Sequence, residues 1–197
     1  MRLIEAESTK GKHGWATIAA CLVVSVGWAS GCTATIVPEV PTSLPTFLTH
    51  VDEGNGFSIS YPKDWERGCE DCLSETEIVA FSALAGEHEG QAFFSVAREN
   101  WPSETTALSY FEEAKATLEA SEGRNYHFVS KEQLVIDGAP AIKHILAFDS
   151  AGESSKAIQV YLAQGKSIWV ITFVCASEYF GTWDPTFDAI AGSFRLL

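Results

Sequence analysis

The chain has 197 residues, of which 46% are hydrophobic and 20% charged, so it can bury a core and is not a disordered tract. Thirteen basic residues face 26 acidic ones, a net charge of −13. That excludes nucleic acid as a partner, since phosphate binding needs a basic face, and it excludes adhesion of the folded part to anionic lipid.

The first 31 residues differ from the rest. Arg2, Lys10 and Lys12 make a basic stretch, diluted by Glu5 and Glu7, and an apolar run extends from Trp15 to Ala29. It ends in Ala29-Ser30-Gly31-Cys32, small residues before a cysteine. Basic, apolar and small, in that order, is an export signal. Three forms of it stay open. The stretch ASGC resembles a lipobox, in which Cys32 is acylated and becomes the new N-terminus. Ordinary signal cleavage also accepts Ala29 and Gly31. The 23 uncharged residues from Trp15 to Val37 are long enough to span a bilayer uncleaved, though Ser, Thr and Gly crowd their second half. All three export the remainder of the chain, with the basic end left in the cytoplasm. The leading expectation is a signal peptide over 1–31, a lipidated Cys32, and a membrane-anchored domain on the extracytoplasmic face.

Removing those residues takes away three basic and two acidic side chains, so residues 32–197 carry 10 against 24, a charge of −14. Pro38, Pro41 and Pro45 stand among Thr, Ser and Val, and proline favours an extended chain. Residues 32–48 therefore read as a tether and 49–197 as the domain. A first strand could begin at about Phe47.

Gly54-Asn55-Gly56 is a turn. Phe57, Ile59 and Tyr61 alternate with serines, a strand with one buried face, and Pro62 ends it. Residues 66–76 read as a polar loop holding Cys69 and Cys72. Ile78 to Leu84 and Ala92 to Ala97 form a hairpin across an acidic loop. Ser103 is the expected cap of a helix over about 104–121, on which Leu108, Phe111, Ala114 and Leu118 share a face. Strands over 126–136 and 141–148 flank Asp137-Gly138, a strong hairpin signal. Two more, 156–162 and 168–175, flank Gln164-Gly165. Asp184 is the expected cap of a last helix with Pro185 at its first position, lined by Phe187, Ile190, Ala191 and Phe194. Short turns between successive strands make the sheet mostly antiparallel, and two amphipathic helices must cover it. The expected class is α+β, an α/β/α sandwich.

GFSISYPKDW (56–65) and FDAIAGSFRLL (187–197) resemble the opening and the closing helix of the PsbP-like family, and the order of elements between them fits. The resemblance spans roughly 50–197. It implies a central antiparallel sheet between helices, a fold shared with a Ran-binding nuclear-import factor. Photosynthetic members bind photosystem II at the lumenal face and help retain calcium and chloride. Many bacterial relatives are extracytoplasmic lipoproteins. The photosynthetic members dock partly through an N-terminal extension. Here that stretch is a Pro/Thr tether without basic residues, so no docking residue carries over.

Cys69-Glu70-Asp71-Cys72 is the sharpest local motif. A redox dithiol needs a depressed thiol pKa, and acidic neighbours oppose it, although Arg67 is near. Outside the cytoplasm the expected role is a disulfide stapling the loop; a redox or metal site is the alternative. Zinc needs four ligands and only one CxxC is present. Cys175 ends a strand and reads as a buried free thiol, a bridge to the loop being the alternative. His88 sits in an acidic loop, and His144, on the side of Ile142 and Leu146, reads as a hydrogen-bonded core histidine. No nucleophile elbow, HExxH or phosphate-cradling loop is present. No metal or cofactor is implied. Trp101, Tyr179, Phe180 and Trp183, near element boundaries, are candidate anchors for a partner. The functional expectation is a non-enzymatic, membrane-tethered domain that binds a protein or envelope component. Alternatives are a redox or other enzyme using Cys69 and Cys72, and a photosystem II accessory subunit.

Overall fold

The computed structural model describes residues 44–68, 73–83, 92–120, 125–150 and 152–197. The export signal, Cys32, the Cys69/Cys72 pair and His88 lie outside these residues.

Among the described residues, ten strands and two helices succeed one another. The strands are β1 (Phe47–Asp52), β2 (Phe57–Pro62), β3 (Trp65–Arg67), β4 (Glu77–Ala83) and β5 (Ala92–Asn100). Helix α1 (Ala107–Ala120) leads to β6 (His127–Ile136), β7 (Ala139–Ser150), β8 (Glu153–Gln164) and β9 (Ser167–Ala176). A short 3-10 turn, Ser177–Tyr179, runs into α2 (Phe180–Gly192), and β10 (Arg195–Leu196) closes the chain.

The expected single sheet is two. Seven strands stand in the order β3-β4-β5-β9-β8-β7-β6, and three in the order β1-β2-β10, with antiparallel pairing throughout. The sandwich is correspondingly lopsided. Alternation along β9 sends Trp169, Ile171 and Phe173 to one face of the large sheet and Ile168 and Val170 to the other. The first face is covered by α2 together with the small sheet, through Phe57, Ile59, Phe187, Ile190 and Phe194. The second is covered by α1, through Ala107, Tyr110 and Phe111. A small sheet stands in one layer because α2, of 13 residues, is too short to cover seven strands alone.

Two short strands fall where none was expected. β3 pairs Trp65–Arg67 with β4, and β10 pairs Arg195–Leu196 with β2. Neither is long enough to show an alternating pattern, so only tertiary pairing defines them. β1 starts at Phe47, two residues ahead of the domain boundary placed at 49, and pairs in full register with β2.

Both helix starts are corrected. Ser103 does not cap α1. The Thr106 Oγ1 accepts a bond from the Ser109 N–H at 3.1 Å, three residues on, which is the capping geometry. The preceding segment is held against the β8–β9 turn, where Trp101 N–H donates to the Lys166 carbonyl and Thr105 N–H to the Gly165 carbonyl. That tie delays the helix by about one turn. Asp184 does not cap α2 either. The helix begins at Phe180, and Pro185 lies inside it. Pro185 has no N–H to give the Gly181 carbonyl, but Gly181 is exposed and water can serve that oxygen. Phe180 and Trp183 pack on the core, and their burial carries the first turn.

The hairpin signals hold. Asp137 and Gly138 both have positive φ, 51° and 76°, as a two-residue primed turn requires. Gly56 has φ 76°, and its N–H closes the β1–β2 turn onto the Asp52 carbonyl at 2.8 Å.

Candidate functional site

Each face of the large sheet presents one unusual locality. The α1 face holds a closed polar cluster, and the α2 face an open cleft.

Beneath α1, five polar side chains from β5, β7, β8 and the helix itself converge in an otherwise apolar layer. Glu99, Tyr110, His144, Gln159 and Tyr161 are all less than one tenth exposed. Alternation on their strands places them there beside Ile142 and Val170. Tyr161 O–H donates to the Gln159 Oε1 at 2.6 Å. His144 Nδ1 lies 3.4 Å from the same hydroxyl. With the Tyr161 proton committed to Gln159, Nδ1 must be the donor, which assigns the His144 proton to Nδ1 and leaves Nε2 as an acceptor. That Nε2 is buried without a hydrogen-bond partner. Phe111 meets the imidazole edge-on at 5.1 Å and Phe128 stacks on it at 5.7 Å. Burial, then the charge of Lys115, pulls the His144 pKa down to about 4, against a smaller opposing pull from Glu119. Burial also raises Glu99, against a bond from Tyr110. Both groups are thus held toward their neutral forms. The cluster bears the chemistry of acid–base catalysis, but its members are sealed under the helix. His144 is the hydrogen-bonded core histidine expected from its position.

The cleft lies between α2 and the β6–β7 hairpin, with a volume of about 180 Å³. Ile158, Val160, Phe173 and Phe187 form its apolar interior, and Leu134 its outer wall. One charge is buried in it. Lys143 is 8% exposed, and its Nζ binds Asp188 at 2.5 Å and Asp184 at 3.3 Å. Burial alone would lower the Lys143 pKa. The bond and charge of Asp188, then those of Asp184, outweigh it and hold the ammonium above the ordinary lysine value. Glu132, directly across the ladder from Lys143, is exposed at the rim. The early start of α2 matters here: with Asp184 inside the helix, Asp184 and Asp188 stand one turn apart and both reach the lysine. No sequence spacing exposes this trio, because Lys143 is remote from both aspartates along the chain and the sheet brings them together.

The candidate aromatics separate. Trp101 packs edge-on against Tyr110 at 5.4 Å, in the α1 layer. Phe180 and Trp183 belong to the α2 layer, Trp183 meeting Trp65 edge-on at 5.5 Å and Lys156 lying 4.8 Å over the Phe180 ring. Tyr179 ends the 3-10 turn just before them. All four are half-buried, and they make no single patch. Cys175 is a free, buried thiol whose pKa burial pushes up to about 12, so it stays protonated at neutral pH. Among the described residues no three His, Cys, Asp or Glu group as a metal site, and no helix is long and apolar enough to cross a membrane.

The family model for PsbP-like proteins matches residues 41–196, and the chain belongs to that family. Its two signature stretches have structural reasons. Phe57 and Phe194 stack at 5.8 Å in the core. Ser193 Oγ donates to the Ile190 carbonyl at the end of α2 and accepts from the Ser60 N–H of β2, joining the layers. Tyr61 stacks on Phe81 at 4.2 Å.

Among solved structures, the chain is similar to cyanobacterial PsbP from Synechocystis sp. PCC 6803, at 20% identity and TM-score 0.59, covering 85% of this chain and 98% of that one. It is also similar to LpqN of Mycobacterium tuberculosis, involved in cell envelope biogenesis, at 11% identity and TM-score 0.56, covering 84% and 99%. The Ran-binding protein Mog1p of Saccharomyces cerevisiae matches at 7% identity and TM-score 0.54, covering 77% and 96%. At these identities the likeness is one of fold. No curated protein matches the sequence.

Proposed function

We propose that this protein is an exported, membrane-tethered PsbP-like domain whose work is to bind a protein or envelope partner rather than to catalyse a reaction. The observation that carries this reading is the contrast between the two localities. The groups suited to proton transfer are sealed beneath α1, while the cleft that opens among the described residues has about 180 Å³, smaller than the roughly 300–1,000 Å³ of small-molecule sites. A cleft of that size suits one anchoring side chain of a larger partner. The export signal and the Pro/Thr stretch support the tethered part, and the acidic surface favours a cationic partner.

The test is made on the full chain in a bacterial host. Intact mass of the membrane-extracted protein is expected to show loss of residues 1–31 and acylation at Cys32. A photoactivatable side chain at Gly192, which lines the cleft at a point where an added Cβ meets open space, is expected to cross-link a discrete envelope component, whereas one at Leu108 on α1 is not. Unprocessed chain free in the cytosol would overturn the tethered reading. Equal cross-linking from both positions would overturn the cleft as the binding site.

A further inference from the structure

β6 is one of the two outer strands of the large sheet, and among the described residues no strand pairs with its free edge. Its two halves differ. The first half is bulged at Val129, where the register with β7 shifts. It also carries Lys131, whose ammonium binds Glu112 at 2.9 Å and sits 4.6 Å over the Phe111 ring. A bulge and a lysine are ways of blunting an edge against strand addition. The second half, 132–136, has neither. It pairs with 139–143 in unbroken register, so its outer edge presents regularly spaced peptide groups.

This regular half is also the wall of the cleft. Glu132, Leu134 and Ile136 alternate onto the cleft side, and Val135, which also borders the cleft, turns its 73% exposed side chain to the other. A strand added here would place every second side chain over the cleft. The charges there are unbalanced. Asp184 and Asp188 bind Lys143, and Glu132 lines the same cleft from across the ladder, three carboxylates to one ammonium. Lys143 holds the inner position, and Asp188, 57% exposed, keeps an outer side open to solvent. An anion entering would meet the carboxylates. An arginine would lay its stem on Leu134 and Phe187 and bring its guanidinium to Glu132 and Asp188, the planar donor set suited to carboxylates.

We infer that the edge formed by residues 132–136 accepts an extended segment of a partner protein, in which basic side chains directed into the α2 cleft alternate with apolar ones beside Val135. This rests on the protein-binding reading above and names the partner's chemistry. Main-chain bonds along the edge supply affinity, and the alternating side chains supply selectivity.

The probe is the peptide acetyl-TVRVRVT-amide, titrated calorimetrically into the detergent-purified full chain, with hydrogen exchange measured at the amides of 132–136. Binding is expected, with slowed exchange confined to that edge. The glutamate peptide TVEVEVT and an arginine peptide N-methylated at alternate nitrogens are each expected to bind at least about tenfold more weakly. Glu132→Gln, at an exposed position that folding does not need, is expected to weaken the arginine peptide about two- to fivefold. Equal binding of the arginine and glutamate peptides overturns the charge preference. Undiminished binding after N-methylation overturns strand addition. No binding of the arginine peptide overturns the inference whole. If cross-linking from Gly192 still succeeds in that last case, the protein-binding reading stands and only this partner chemistry fails.

Discussion

The two faces of the large sheet bury polar groups by opposite strategies. Under α1, neutral groups are sealed: Glu99 and His144 are pushed toward their uncharged forms by burial, and Tyr161 and Gln159 satisfy one another. Under α2, a charge is kept. Lys143 remains an ammonium because two aspartates meet it from the helix while their outer sides stay wet. The difference teaches where a partner can act. A neutral network closed by a helix answers to pH and to packing. A charged group in an open cleft stays within reach of another molecule.

The sharpest way to break that contrast is to open the sealed side. Phe111→Ala removes a fully buried ring over His144 and is expected to cost about 3–5 kcal/mol in urea denaturation. It should also raise the His144 pKa from about 4 toward its ordinary value, read by NMR titration of the imidazole. An unmoved pKa would mean that the ring does not maintain the desolvation.

A titration sharpens the contrast next. His144 is protonated more readily unfolded than folded, so the unfolded chain binds more protons between about pH 6.5 and 4. Stability should therefore drop as the pH is lowered across that window, by about 3 kcal/mol in all. The groups packed around it are Lys115 and Glu119 on α1 and Tyr161 and Gln159 on β8. His144→Leu should flatten that slope. Glu99 acts with the opposite sign. Its raised pKa gives stability that is present below the unfolded value and lost as pH rises through the folded one. A slope unchanged in the His144 variant would place the acid sensitivity elsewhere.

On the open side the expected effects are smaller. Lys143→Met keeps the buried stem and removes the charge. The aspartates left behind are 38% and 57% exposed and can be hydrated, so the cost should be about 1 kcal/mol. The stabilisation tied to the raised lysine pKa is present below pH 10.5 and lost above it. The variant should therefore lose the alkaline fall in stability that accompanies Lys143 deprotonation. A loss several times larger would show that the pair is structural in the way the sealed cluster is.

The smallest effect separates two caps. Thr106→Ala should cost about 1 kcal/mol of thermal or urea stability and Ser103→Ala under about 0.5. The reverse order would restore the longer α1 expected from the sequence.

Much of the fold was written locally. The alternation of Phe57, Ile59 and Tyr61, the Asp137-Gly138 turn and the inward face of Phe187, Ile190 and Ala191 are short-range patterns, and each stands as expected. His144 also read correctly, because its neighbours at even spacing are core residues. The cleft did not read at all. Lys143 carries no local signal that sets it apart in its strand, and Asp184 fits the pattern of a helix cap among its sequence neighbours.

Legible in the sequence alone were the longer strands and the two helices, the hairpin pairing of successive strands, most of the apolar faces and the acidic exterior, since each arises from periodicity and turn chemistry within a few residues. The tertiary structure decided where the helices begin, that β3 and β10 exist, that the sheet is split in two, and that one lysine meets two aspartates beside an open edge. Those outcomes depend on which apolar faces are buried together and on hydrogen bonds between residues far apart in the chain, and no local pattern contains that information.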